Sequence, residues 1–158
     1  PGASRARSQP TYAGGAVFVG SQDGTVYALD LASGCVRWAF RAGAEVRNAP
    51  SIEPWKKGDR RANPRAFFGD LEGHVYAVEA FTGKLLWKVR ANPHPRTTIT
   101  GSPRVFEGRV YVPLSSTEWA SAADPSYECC SFQGGVAAFD AATGALAWRR
   151  YTIAEAPK

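Results

Sequence analysis

Histidine is scarce: the chain has two in 158 residues, His74 and His94, and they stand far apart. Histidine-based zinc sites and Ser-His-Asp chemistry therefore have no support. Long apolar runs are missing as well. Without about 18 consecutive apolar residues there is no membrane-spanning helix, and no charged-then-apolar leader opens the chain. No Gly-rich loop leads into a helix, which excludes the usual phosphate cradles. No C-x-x-C-H motif for attaching haem occurs, and no stretch carries the 3.6-residue period over a helical length. The chain has no methionine and opens at Pro1, and it is expected to be a segment of a longer protein.

What is present is a repeat. The pattern Ala-x-(Asp/Glu)-x-x-(Ser/Thr)-Gly-x-x-x-Trp occurs at 28–38 (ALDLASGCVRW), 77–87 (AVEAFTGKLLW) and 138–148 (AFDAATGALAW). A fixed internal unit of this length marks a repeat architecture. Before each copy stand a short apolar run, a turn such as Gln22-Asp23-Gly24 or Leu71-Glu72-Gly73, and an alternating run such as Thr25–Leu29 or His74–Val78. This reads as strand, turn, strand, turn, strand. The glycine of the motif supplies a positive φ for the last turn. Asp30, Glu79 and Asp140 are expected to cap that turn through their side chains.

A fourth, leading strand precedes each unit, around Pro10, Pro50 and Pro103. Proline lacks a ladder donor and belongs at an edge or a strand start, as on the innermost strand of a propeller blade. The chain is thus expected to be all-β, with about three four-stranded blades at roughly 5–40, 46–90 and 98–150 within one partial domain, 1–158. Trp38, Trp87 and Trp148 stand 49 and 61 residues apart, so the third unit holds an insertion between Val112 and Val136. Insertions in one repeat map to functional loops. Three blades alone leave apolar faces and strand edges bare, so the remaining blades of the parent chain are expected partners.

The net charge of +5 comes mainly from arginine, with a dense cluster at Lys56, Lys57, Arg60, Arg61 and Arg65. The cluster lies in a Pro/Gly/Asp-containing connector and reads as a solvated loop. No aromatic residues alternate with these charges, which argues against nucleic acid.

Chemistry concentrates in the insertion, at Glu128-Cys129-Cys130-Ser131-Phe132. Adjacent cysteines lie about 3.8 Å apart at Cα across a trans peptide, below the usual disulfide range of about 4.4–6.8 Å. A bridge therefore needs a distorted or cis peptide, and the pair by itself leaves two thiols or separate partners open. Cys35, the odd cysteine, reads as a buried inert thiol. Counting back three residues from each leading-strand proline gives Arg7, Arg47 and Thr100. Equivalent positions of neighbouring blades converge on the propeller axis, so two guanidiniums and a hydroxyl meet there and suit an anionic ligand. The alternative is local pairing of the arginines with Glu45 or Glu53. Glu118 stands where the chain enters the insertion, either as a solvated carboxylate or as an oxygen ligand for a hard cation. Trp119 beside it either shields a ligand or packs within the insertion.

The Trp-ending repeats resemble those of pyrroloquinoline quinone (PQQ) dehydrogenases. The segments 5–10 (RARSQP), 17–24 (VFVGSQDG), 45–49 (EVRNA), 110–118 (VYVPLSSTE) and 127–134 (YECCSFQG) are similar to the PQQ domain of polyvinyl alcohol dehydrogenases, nearly end to end. The resemblance implies an eight-bladed propeller in an oxidising, periplasmic setting, and a disulfide between Cys129 and Cys130 lying against PQQ. It also implies a Ca²⁺ ion, oxidation of an alcohol, and electron transfer to cytochrome c; with PQQ as the anionic ligand, Arg7, Arg47 and Thr100 are its expected contacts, and Glu118 is the candidate ligand for the ion. The catalytic base is expected outside this segment. A non-catalytic propeller serving as an assembly scaffold or sensor shares the repeats, but needs neither adjacent cysteines nor converging arginines.

Overall fold

The computed structural model describes residues 5–56, 58–59, 62–155 and 157. Among these the chain forms three antiparallel sheets, each a meander of consecutive strands. The first holds β1 (Thr11–Ala13), β2 (Ala16–Gly20), β3 (Thr25–Asp30) and β4 (Val36–Arg41). The second holds β5 (Ser51–Ile52), β6 (Arg65–Gly69), β7 (His74–Glu79) and β8 (Leu85–Arg90). In the third, β9 (Thr97–Thr98) pairs with the far end of β11 (Arg109–Ser116), which continues the order β10 (Arg104–Phe106), β11, β12 (Gly135–Asp140), β13 (Leu146–Tyr151). Pro10, Pro50 and Pro103 directly precede β1, β5 and β10, where a missing N–H breaks no ladder.

The repeat motif builds the same corner three times. Asp30 Oδ1 accepts the backbone N–H groups of Ala32 and Ser33 and the Ser33 hydroxyl, at 3.1, 2.9 and 2.9 Å. Asp140 takes Ala142 N–H, Thr143 N–H and Thr143 Oγ1 in the same way, and Glu79 holds Thr82 Oγ1 at 2.6 Å. Gly34, Gly83 and Gly144 then turn the chain at φ of 71°, 73° and 75°. This carboxylate capping is the role expected of the three acids.

The sheets pack face to face through two apolar layers. Phe18, Val26, Ala28 and Trp38 of the first meet Ala66, Phe68, Tyr76 and Val78 of the second. The opposite face of the second, with Phe67, Val75, Ala77 and Trp87, meets Val110, Val112, Leu114 and Phe139 of the third. Hence β6 and β7 are buried on both faces while β2 alternates. Two tryptophans bond to the neighbouring sheet: Trp38 Nε1 donates to Ala80 O at 3.0 Å, and Trp87 Nε1 to Ala141 O at 3.1 Å. Their rings lie so close to the motif glycine of the next sheet that a Cβ on Gly83 would stand 2.7 Å from Trp38, and one on Gly144 2.8 Å from Trp87.

Two expectations need correction. Cys35 is exposed, because it sits in the corner before β4, and β4 turns little besides Trp38 inward. The insertion also holds one turn of helix, α1 (Glu118–Ser121), too short to leave a period in the sequence. Of the basic cluster, Lys57, Arg60 and Arg61 lie outside the described residues, and Arg65 pairs with Glu53.

Candidate functional site

The expected site residues gather at one end of the sheets, where β2, β6 and β11 finish. Arg7 N–H donates to Gly20 O at the end of β2. Val46 and Ile99, the residues before Arg47 and Thr100, are fully buried and press on Gly20 and Gly69 so closely that a Cβ on either glycine would clash. Each connector thus crosses the end of the preceding sheet and carries its next residue, Arg47 or Thr100, to an equivalent place.

Polar groups lock this crossing. Asn48 is buried; its Nδ2 donates to Gly69 O at 2.8 Å and Ile99 O at 2.9 Å, and its Oδ1 accepts Gly69 N–H at 2.9 Å. One unit earlier, Ser8 Oγ accepts Gly20 N–H at 2.6 Å in the same role. In the third unit Pro113 replaces the glycine and has no N–H, and Gly101 replaces the Ser or Asn. Donor and acceptor are lost together, so no buried orphan arises.

Arg7 and Arg47 converge on a single carboxylate. Glu45 Oε2 lies 3.0 Å from Arg47 Nη2, and its Oε1 lies 3.7 Å from Arg7 Nε. The local pairing with Glu45 is therefore present, and it joins both arginines. Two cations around one anion leave a net positive site, and both guanidiniums stay partly exposed, 41% for Arg7 and 37% for Arg47. The hydrogen bond to Glu45 holds the Arg47 guanidinium above its usual pKa, against the effect of burial. Its Nε is nevertheless buried without a hydrogen-bond partner among the described residues. Thr100 is exposed.

The third sheet brings the insertion to the same end. β9 pairs with Ser115 and Ser116, and Thr117 N–H donates to Arg96 O at 2.9 Å. From there α1 leads to a tight turn in which Asp124 Oδ1 accepts Ser126 N–H and Oγ, at 2.9 and 2.7 Å. The turn sends the chain back past Tyr127 to Cys129 and Cys130, which are joined by a disulfide across a cis peptide and are both exposed. A cleft of about 350 Å³ lies against Cys130, lined also by Leu114, Ser116, Glu118, Trp119 and Phe132. Trp119 is 77% exposed at its edge.

Glu118 is neither a solvated loop carboxylate nor free. It is 2% exposed, and four donors surround it: Tyr127 OH at 2.9 Å, Ser131 N–H at 3.0 Å, Ser131 Oγ at 3.2 Å and Phe132 N–H at 2.8 Å. Burial works to raise its pKa, but the hydrogen bonds from Ser131, Phe132 and Tyr127 outweigh it and hold the carboxyl below the usual glutamate range. His94 joins from the connector, with Nε2 3.0 Å from Ser131 Oγ and 3.8 Å from Glu118 Oε1. Asn48, Ser8 and the donors around Glu118 escaped the sequence reading. The co-variation of Ser8/Gly20, Asn48/Gly69 and Gly101/Pro113 between aligned repeats is the signal that carries the first two.

Antiparallel sheets built on four-strand meanders and packed face to face, with the short strands β1, β5 and β10 side by side, place the chain in the β-propeller class. The PQQ_2 family, described as outer membrane protein assembly factor BamB, matches residues 2–154, and the chain belongs to that family. Polyvinylalcohol dehydrogenase of Sphingopyxis sp. (strain 113P3) is 39% identical over 150 residues, 95% of this chain and 23% of that protein. The protein of that name from Pseudomonas sp is 38% identical over 149 residues, 94% of this chain and 23% of its own length. Among solved structures, quinohemoprotein alcohol dehydrogenase ADHIIG from Pseudomonas putida HK5 superposes with a TM-score of 0.71 at 28% identity, over 93% of this chain and 20% of that one. The chain spans about a quarter of the curated relatives' length.

Proposed function

We propose that this chain is part of a PQQ-dependent dehydrogenase that oxidises alcohols, polymeric secondary alcohols among them, and passes electrons to cytochrome c in the periplasm. In this reading it supplies three blades of an eight-bladed propeller, with the tryptophans docking each blade on the next, and part of the cofactor seat. The observation that carries the reading is that an exposed vicinal disulfide and an arginine pair held in excess over its one carboxylate both stand on segments leaving the same end of the sheets.

PQQ is a planar tricarboxylate, and the residues present fit it. Arg47 and Arg7 offer guanidinium forks to carboxylates, the buried Arg47 Nε has no hydrogen-bond partner among the described residues, and Thr100 adds a hydroxyl at the equivalent place. The disulfide gives a compact polarizable surface for a flat ring. Bound PQQ supplies the two-electron oxidation of the alcohol. This chain's residues bind and orient it, and Glu45 keeps the two cations together before it arrives.

Calcium, the other group implied, does not fit Glu118: both oxygens face N–H and O–H donors, whereas a hard cation needs free oxygen ligands. We place its ligands and the catalytic base on other parts of the longer protein. The family's description as an assembly factor favours a second reading, a non-catalytic scaffold. Reconstitution of the full-length protein with PQQ and Ca²⁺, followed by dye reduction with secondary alcohols, separates the two. Turnover that is lost in Cys129→Ser supports the enzyme; absence of PQQ binding in the wild type supports the scaffold.

A further inference from the structure

Residues 128–133 hold the disulfide, yet among the described residues none of them makes a backbone–backbone hydrogen bond. Their attachment to the fold runs through side chains, and mostly through one. Glu118 receives Tyr127, two residues before Cys129, and the N–H groups of Ser131 and Phe132, directly after Cys130. A buried carboxylate is costly unless several donors satisfy it, and here every strong donor comes from the two flanks of one dipeptide. The arrangement is anchored from below, since Glu118 begins α1 at the end of the long strand β11.

We propose that Glu118 is the positioning residue of the Cys129–Cys130 seat, a buried anion that clasps the loop on both sides of the disulfide and fixes it against the end of the third sheet. His94 completes the clasp. Its Nδ1 accepts Arg96 N–H at 3.2 Å, so in the neutral ring Nε2 carries the hydrogen and donates to Ser131 Oγ, which in turn donates to Glu118. The consequence for a bound quinone rests on the function proposed above; the clasp itself does not.

The test uses the full-length protein and two variants, Glu118→Gln and Tyr127→Phe. Glutamine keeps the shape but sets an NH₂ group against N–H donors. Losing charge-assisted bonds of this kind corresponds to about tenfold or more in a local equilibrium. Amide hydrogen exchange over residues 129–134 is expected to quicken about tenfold or more in Glu118→Gln, with the β11 and β12 peptides unchanged. Reduction of the disulfide by dithiothreitol under native conditions is expected to quicken with it, and Tyr127→Phe to give a smaller change in the same direction. Where PQQ binds the wild type, its release is expected to be faster in both variants. Exchange and reduction at wild-type rates in both variants, or exchange rising equally across the whole third sheet, overturns the proposal. Should Glu118→Gln not fold, Tyr127→Phe decides by the same two readouts. Neither readout needs a quinone, so a wild type that binds no PQQ refutes the proposed function and leaves the clasp to be judged separately.

Discussion

The contact between a motif glycine and the preceding tryptophan is expected to be worth more than the turn it sits in, and Gly83→Ala isolates it. Gly83 and Gly34 occupy the same place in the repeat, at φ of 73° and 71°. An alanine at either pays the left-handed penalty, about 1–2 kcal/mol. Their surroundings differ. A Cβ at Gly34 meets nothing within 4 Å, whereas at Gly83 it meets Trp38 Cδ2 and Cε3 at 2.7 Å. These are ring atoms of a side chain held by its own bond to Ala80 O, so the ring has no free end to swing aside. Overpacking of a fixed core group costs about 1–3 kcal/mol. We therefore expect Gly83→Ala to lose about 2–5 kcal/mol and Gly34→Ala about 1–2 kcal/mol. Urea unfolding of the full-length protein, followed by tryptophan fluorescence, measures both. Equal losses at the two positions would refute the idea that the tryptophan–glycine contact joins the sheets.

Other outcomes follow from the polar groups. Asn48→Ala leaves Gly69 N–H and two carbonyls buried without partners, and a loss of about 3 kcal/mol in unfolding free energy is expected. Arg47→Gln removes a guanidinium fork and should weaken PQQ binding by the full-length protein about tenfold to a hundredfold, read by equilibrium titration. Glu45→Gln removes the internal counter-charge and should strengthen binding of PQQ instead. Glu118 has a depressed pKa when folded, so the stability it contributes is present above its unfolded pKa and is lost as pH falls through the folded one. The protection of residues 129–134, taken relative to the intrinsic exchange rate at each pH, should therefore stay constant near neutrality and fall only below the ordinary glutamate range, and that fall should vanish in Glu118→Gln.

Local features of this fold were legible because local chemistry makes them. Period-two alternation located the strands, and the Asp30, Glu79 and Asp140 corners could be read because a carboxylate four residues before a glycine caps the turn between them by itself. Relations between sheets were less legible. That Trp38 lies on Gly83, or that Val46 presses on Gly20, depends on how separate units stack, which no single window contains. Cys35 was misjudged because apolar neighbours imply burial, whereas an outermost strand exposes most of its residues. Glu118 was visible as a candidate but not in its present role, since its partners stand nine to fourteen residues away across a turn set by Asp124. Convergence of Arg7 and Arg47 came from counting back along equivalent strands; their common partner, Glu45, appeared in the sequence only as a competing one.

The most direct measurement is a crystal or cryo-EM structure of the full-length protein loaded with PQQ. We expect the quinone ring in van der Waals contact with the Cys129 and Cys130 sulfurs, about 3.5–4 Å away, with its carboxylates on Arg47 and Arg7. A quinone bound at the opposite end of the sheets, in the cavity that Tyr12 of β1 and Trp55 line beside the turn from β1 to β2, would contradict that placement.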